Sequence, residues 1–158
     1  MRDVAVQLFV ALTGSWGFAI LFGVRPKLAI PASLGGFFSW AIYLLGIHFG
    51  QGIFIACFVA AAFAAFNAEV LARVLKAPAT LFLVPSFIPL IPGSTLYYTM
   101  SNAVARDWEQ MSYYGNQTWQ YALAIAGGIS LVWAFSYMVT QIKKQIISMN
   151  EEKFEKIK

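Results

Sequence analysis

The sequence predicts an all-α integral membrane bundle of five transmembrane helices, the fourth of them broken by proline and glycine. Three observations carry the prediction. The 158-residue chain is 59% hydrophobic, its mean hydropathy is +0.67, and only 11% of it is charged, against about 25% in an ordinary soluble domain. The charges are also segregated, leaving long windows without any. Finally, Pro78 to Met100 is long and apolar enough to cross a bilayer yet contains Pro85, Pro89, Pro92 and Gly93.

A helix needs about 20 apolar residues to cross the hydrocarbon core, and five segments qualify. The first, Val4 to Val24, is longer than the core of a secretory signal and follows Asp3, so it is expected to be a retained span. The second is Leu28 to Ile47, with Pro31 expected in its first turn, where a missing N–H costs little. The third runs from Gln51 to about Leu75, and the fourth, broken one from about Ala79 to Ala105. The fifth is Thr118 to Ile142, followed by Lys143 and Lys144 and a short polar tail, so that 1–142 form the membrane domain and 143–158 a cytoplasmic tail.

Five crossings put the termini on opposite sides. Arg25, Lys27, Arg73, Lys76 and the five tail lysines then share one side, leaving only Arg2 and Arg106 on the other. The positive-inside rule places the N-terminus outside and the C-terminus in the cytoplasm. Trp108, Tyr113, Tyr114 and Trp119 are expected to form an interfacial belt around the outer connection. The net charge of +4 reports orientation and does not indicate nucleic-acid binding, because the basic residues sit at segment ends.

Small residues suggest how the helices pack. Ala56, Ala60, Ala64, Ala68 and Ala72 recur every four residues, a stripe that admits another backbone from within the chain or from a second chain. Gly14 and Gly17, Gly35 and Gly36, and Gly127 and Gly128 make similar thin places.

The candidate functional residues lie in and beside the broken span. Each internal proline removes a backbone donor, so the carbonyls of Leu81, Pro85 and Ile88 lose their helical partners on one face. An unpaired carbonyl in lipid costs several kcal/mol and survives only against protein or a wet cavity. Ser94 is placed to cap a new half-helix whose free N–H groups attract a solute carboxylate, with Tyr97 and Tyr98 following. Pro89, Pro92, Gly93, Ser94, Tyr97 and Tyr98 are therefore candidate solute-binding residues; the plainer reading is a kink that serves packing. Glu69 and Arg73, four apart on the third helix, form either an interfacial ion pair or a site for a carboxylate solute or a coupling ion. His48, alone at the end of the second helix, is a boundary residue or a pH sensor. No catalytic, metal-ligating or cofactor-binding motif occurs, and Cys57 has no partner for a disulfide. An enzyme is not expected.

The stretch EVLARVLKAPATLFLVPSFIPLIPGSTLYYTM, Glu69 to Met100, resembles the threonine/serine exporter family. The family pattern I-P, two hydrophobic residues, P-G, three residues, Y, two residues, M reads here as IPLIPGSTLYYTM, with Ile88, Pro89, Pro92, Gly93, Tyr97 or Tyr98, and Met100 in place. FGVRPKLAIPASLGG, Phe22 to Gly36, is similar to the family's first loop and second-helix start. The resemblance implies an inner-membrane exporter of small hydrophilic metabolites. It further implies the short, C-terminal-half type of subunit in a split exporter, working with a larger membrane subunit; the small size of a five-span bundle independently predicts a partner or a homo-oligomer. Related split pairs export dicarboxylates such as succinate.

Overall fold

A computed structural model describes residues 2–157, with no strand among them. Six α-helices and one 3-10 turn follow in order: α1 (Arg2–Leu21), α2 (Pro26–His48), α3 (Ile53–Leu75), α4 (Thr80–Phe87), the 3-10 turn (Ile88–Leu90), α5 (Gly93–Val104) and α6 (Trp108–Ile157). Four helices are long and apolar enough to cross a membrane, and five spans result when the bent pair Thr80–Leu90 and Gly93–Val104 counts as one. The expected membrane bundle is thus the observed one, and the break is where the prolines put it.

Each of the first three connections, and the last, reverses on one left-handed residue. Gly23 (φ 69°) and Gly50 (φ 76°) supply it without steric cost, whereas Lys76 (φ 50°) and Arg106 (φ 59°) adopt it despite a Cβ. The next N–H then reaches back to close the helix end, as from Val24 to Ala19 O at 3.0 Å and from Ala77 to Ala72 O at 3.1 Å. α2 begins earlier than the hydropathy suggests, because Pro26 fits the first helical position. Pro31 consequently lies inside the helix, not in its first turn.

The alanine stripe is used within the chain. Ala56, Ala60, Ala64 and Ala68 are buried, Ala72 partly so, and the stripe packs among α2, α4 and α6. Gly128 lets α6 approach α3 until a Cβ would meet Phe58 O at 2.6 Å. Gly14 and Gly17, by contrast, have no atoms near their open faces, so that thin place is unused within the chain.

The fifth span differs from expectation. α6 is one continuous helix of 50 residues, about 75 Å long at 1.5 Å per residue. Trp108, Tyr113, Tyr114 and Trp119 stand on its first turns and not in a loop, so the connection shrinks to Ala105–Asp107. The cause is a good helix start. Asp107 accepts the Gln110 N–H at 3.1 Å, and Glu109 sits in the first turn. The helix also runs unbroken through residues 142 and 143.

Candidate functional site

The loops Phe22–Arg25 and Lys76–Ala79 meet at one end of the bundle. Arg25, Lys27 and Lys76 line a cleft of ≈ 600 Å³ there. From this basic mouth α4 enters the bundle, packed against α2 and α3 and more lightly against α1.

Pro85 is accommodated inside α4, and the break follows from the N–H groups missing at Pro89 and Pro92. α4 ends at Phe87, the 3-10 turn uses Ile88–Leu90, and the chain then bends by 55° into α5. Of the three stranded carbonyls, Ile88 O is re-paired by the Ile91 N–H at 3.1 Å, the tighter turn replacing the lost helical bond. The expectation that all three would stay open therefore holds less broadly than spacing suggested. Pro85 O, which Pro89 cannot bond, is received by the second helix: a Cβ built on Gly36 would stand 2.9 Å from it. Only a glycine admits that approach.

Small polar side chains gather around this contact. The same Cβ on Gly36 would lie 1.9 Å from Ser15 Oγ of α1, and a Cβ on Gly35 would lie 2.1 Å from Ser86 Oγ and 2.9 Å from Asn67 Nδ2 of α3. Ser86 donates to Phe82 O at 2.7 Å. Ser15 Oγ is fully buried without a partner, and so is the indole Nε1 atom of Trp40, one turn beyond Gly36. Counted along the helices, these groups lie roughly 8 to 21 Å from the basic end, a range centred on the middle of a hydrocarbon core about 30 Å thick. Beside them a groove of ≈ 340 Å³ runs between α1 and the break, lined by Val6, Gln7, Ser15, Trp40, Ile88 and Pro89 among others.

The residues singled out from sequence fall into three groups. Pro89 lines the groove. Pro92, Gly93, Ser94, Tyr97 and Tyr98 leave it with α5, which packs on α6 and buries none of its residues. Ser94 is not the cap: Pro92 precedes the first helical residue, Gly93, and Thr95 Oγ1 donates to Pro92 O at 3.2 Å. Glu69 and Arg73 form an ion pair at 2.9 Å, away from the groove, and Ser136 of α6 closes it by accepting from Arg73 at 2.7 Å and donating to Glu69 at 3.1 Å. His48 lines a separate groove with Val4, Leu8 and Leu45. Ser15, Asn67, Ser86 and Trp40 were not singled out from sequence. A single small polar residue in an apolar span gives no periodic signal, but the Gly35–Gly36 pair marked the place where another backbone comes close.

The Threonine/Serine exporter (ThrE) family matches residues 7–135. The chain belongs to that family. No solved structure matches it. The match includes most of α1, all of α2 to α5 with the break, and the apolar half of α6, so every group of the polar cluster lies within the family region. As a threonine/serine exporter-type protein the chain is a multi-pass membrane transporter, which accords with its apolar helices. Among the described residues no three His, Cys, Asp or Glu side chains stand together as metal ligands.

Proposed function

We propose that this chain is the short, complementary-half subunit of a split exporter. It moves a small amino acid such as threonine or serine, or a small carboxylate such as succinate, outward across the cell membrane. A larger membrane subunit of the same family completes the path. The N-terminus lies outside and the C-terminus in the cytoplasm, so the cleft of Arg25, Lys27 and Lys76 is the cytoplasmic mouth. Its positive charge raises the local concentration of solutes carrying a carboxylate.

One observation supports this reading above the others: the carbonyl of Pro85, freed by Pro89, is held at mid-depth beside unpartnered Ser15. Backbone of this kind is tolerated in membranes where it is buried against protein, as Pro85 O is against Gly36, or where it lines a path for a polar solute. A second reading, a structural or regulatory membrane subunit that stabilises a larger transporter, is motivated by the chain's small size and by the alanine stripe, and that stripe is occupied by the chain's own α2, α4 and α6.

Efflux from cells tests the proposal. Deleting the chain should raise intracellular threonine, serine or succinate, and the chain together with its larger subunit should restore export. If the larger subunit, kept stable, exports at full rate alone in proteoliposomes, the chain is a scaffold and the proposal fails.

A further inference from the structure

Where α1 passes into α2 and α3 into α4, three cations stand around one cleft, and none of them has an acidic partner. We infer that this cleft, lined by Arg25, Lys27 and Lys76, seats the phosphodiester headgroup of an anionic phospholipid. The first methylenes of its chains lie on Leu28, Leu75 and Ala77, the apolar part of the same wall. The cleft and the ends of the spans suffice for this, whether or not the chain exports a solute.

The cleft lies at headgroup depth. The apolar spans Val4–Leu21 and Ile53–Leu75 end at this level, and Pro26–His48 begins there. Arg25 sits in the connection between two of them, Lys27 in the first turn of α2, and Lys76 directly after α3. Long basic side chains at such a level rest their stems on apolar surface and keep the charge in the polar layer. All three are exposed, as are the apolar Leu21, Phe22 and Val74 that precede them in the chain.

The charge there is unanswered from within the protein. The one ion pair among the described residues is Arg73–Glu69. No Asp or Glu lines the cleft, and Asp107 and Glu109 belong to the far end of the bundle, where α5 passes into α6. The start of α2, the positive end of its dipole, is part of the same wall. Like charges gathered round one space repel one another, and an anion between them relieves the repulsion.

The divided wall selects the anion. The cleft of ≈ 600 Å³ has the size of a small-molecule site, and Pro26, Leu28, Leu75 and Ala77 alternate with the cations around it. Inorganic phosphate or succinate would use the cations alone. An anionic phospholipid uses both parts, and basic pockets between membrane helices take such headgroups. Phosphatidylcholine brings an ammonium of its own, which the cations repel. One negative charge among three positive ones leaves the cleft positive, so it still draws in entering solutes.

The backbone supplies a matched pair of variants. Lys76 (φ 50°) and Arg106 (φ 59°) hold left-handed positions at opposite ends of the bundle, and glycine adopts that conformation freely. Lys76→Gly and Arg106→Gly therefore each remove one positive charge without straining a turn, and neither should lower the thermal midpoint of the lipid-free chain. The full chain, purified in a neutral detergent, is titrated with dioctanoyl phosphatidylglycerol while native mass spectrometry reads the bound lipid. Binding should saturate and be about tenfold or more tighter than that of dioctanoyl phosphatidylcholine. Lys76→Gly should weaken it about fivefold and the combined Arg25→Gln, Lys27→Gln, Lys76→Gly variant about a hundredfold, with Arg106→Gly unchanged. Equal binding of phosphatidylcholine overturns the site, as does an equal loss in the two glycine variants or full affinity in the combined one. Displacement of the lipid by inorganic phosphate or disodium succinate at matching concentrations assigns the cleft to a soluble anion and overturns it too. Efflux bears on the exporter reading alone, so the two fail separately.

Discussion

Ser15 and Gly36 touch so closely that the smallest side chain beyond hydrogen has no room: a Cβ on Gly36 would stand 1.9 Å from Ser15 Oγ. This contact seats α1 against α2 at the level where α4 ends, and the Pro85 carbonyl closes the third side.

Gly36→Ala should therefore destabilise the protein by about 2 kcal/mol or more, since both Ser15 and a backbone oxygen would have to shift. Gly93→Ala should be harmless to stability, because nothing lies near Gly93 and its φ needs no glycine. Thermal unfolding in detergent compares the two. Equal midpoints would show that α1 and α2 are not held at this contact.

Pro89→Ala returns an N–H where Pro85 O lacks one. A repaired helical bond should leave stability unchanged or raise it by about 1 kcal/mol, while export falls because the carbonyl is no longer free. Thermal unfolding and efflux measured on the same variant separate these effects. A variant that is no less stable and exports normally would show that the open carbonyl has no part in transport.

Ala64→Leu should be severe. Ala64 is fully buried in the α3 stripe, and forcing a larger side chain into such a contact costs about 1–3 kcal/mol. Val59→Leu, on an exposed position of the same helix, is the control. Membrane-inserted yield and thermal midpoint of the purified protein should fall for the first variant only.

Arg73→Ala should change stability by less than about 1 kcal/mol. Arg73 is 62% exposed and its partner Glu69 22%, so the pair retains much of its solvation. Efflux by this variant should stay near that of the unaltered chain. A loss of export with intact folding would place the pair in the solute path after all.

Much of the fold was legible because membrane spans announce themselves by length and hydropathy, and because the spacing of Pro85, Pro89 and Pro92 marks a break without any tertiary information. The alanine stripe was legible as a close-contact face, although only packing shows that its partners are α2, α4 and α6. Two errors share one cause, the reading of a boundary from composition. Pro31 and Trp108–Trp119 look like a helix start and a connection, yet Pro26 and Asp107 are better starts, and both helices extend to them. The candidate site was half legible. Pro89, which lines the groove, stands out through backbone chemistry. Ser15 and Trp40 reach one groove from two separate helices, Asn67 of a third meets the neighbouring Gly35, and no spacing within one helix encodes these meetings.

The length of α6 has a mechanical consequence. A rod of about 75 Å set in a slab of about 30 Å projects beyond it, so a small change of tilt where it crosses α3 becomes a large sweep at its ends. Near one of those ends it grips α5 through the Thr118–Thr95 hydroxyl bond of 3.1 Å. A load on the far projection would therefore be felt as torque at the half-helix beyond the proline break.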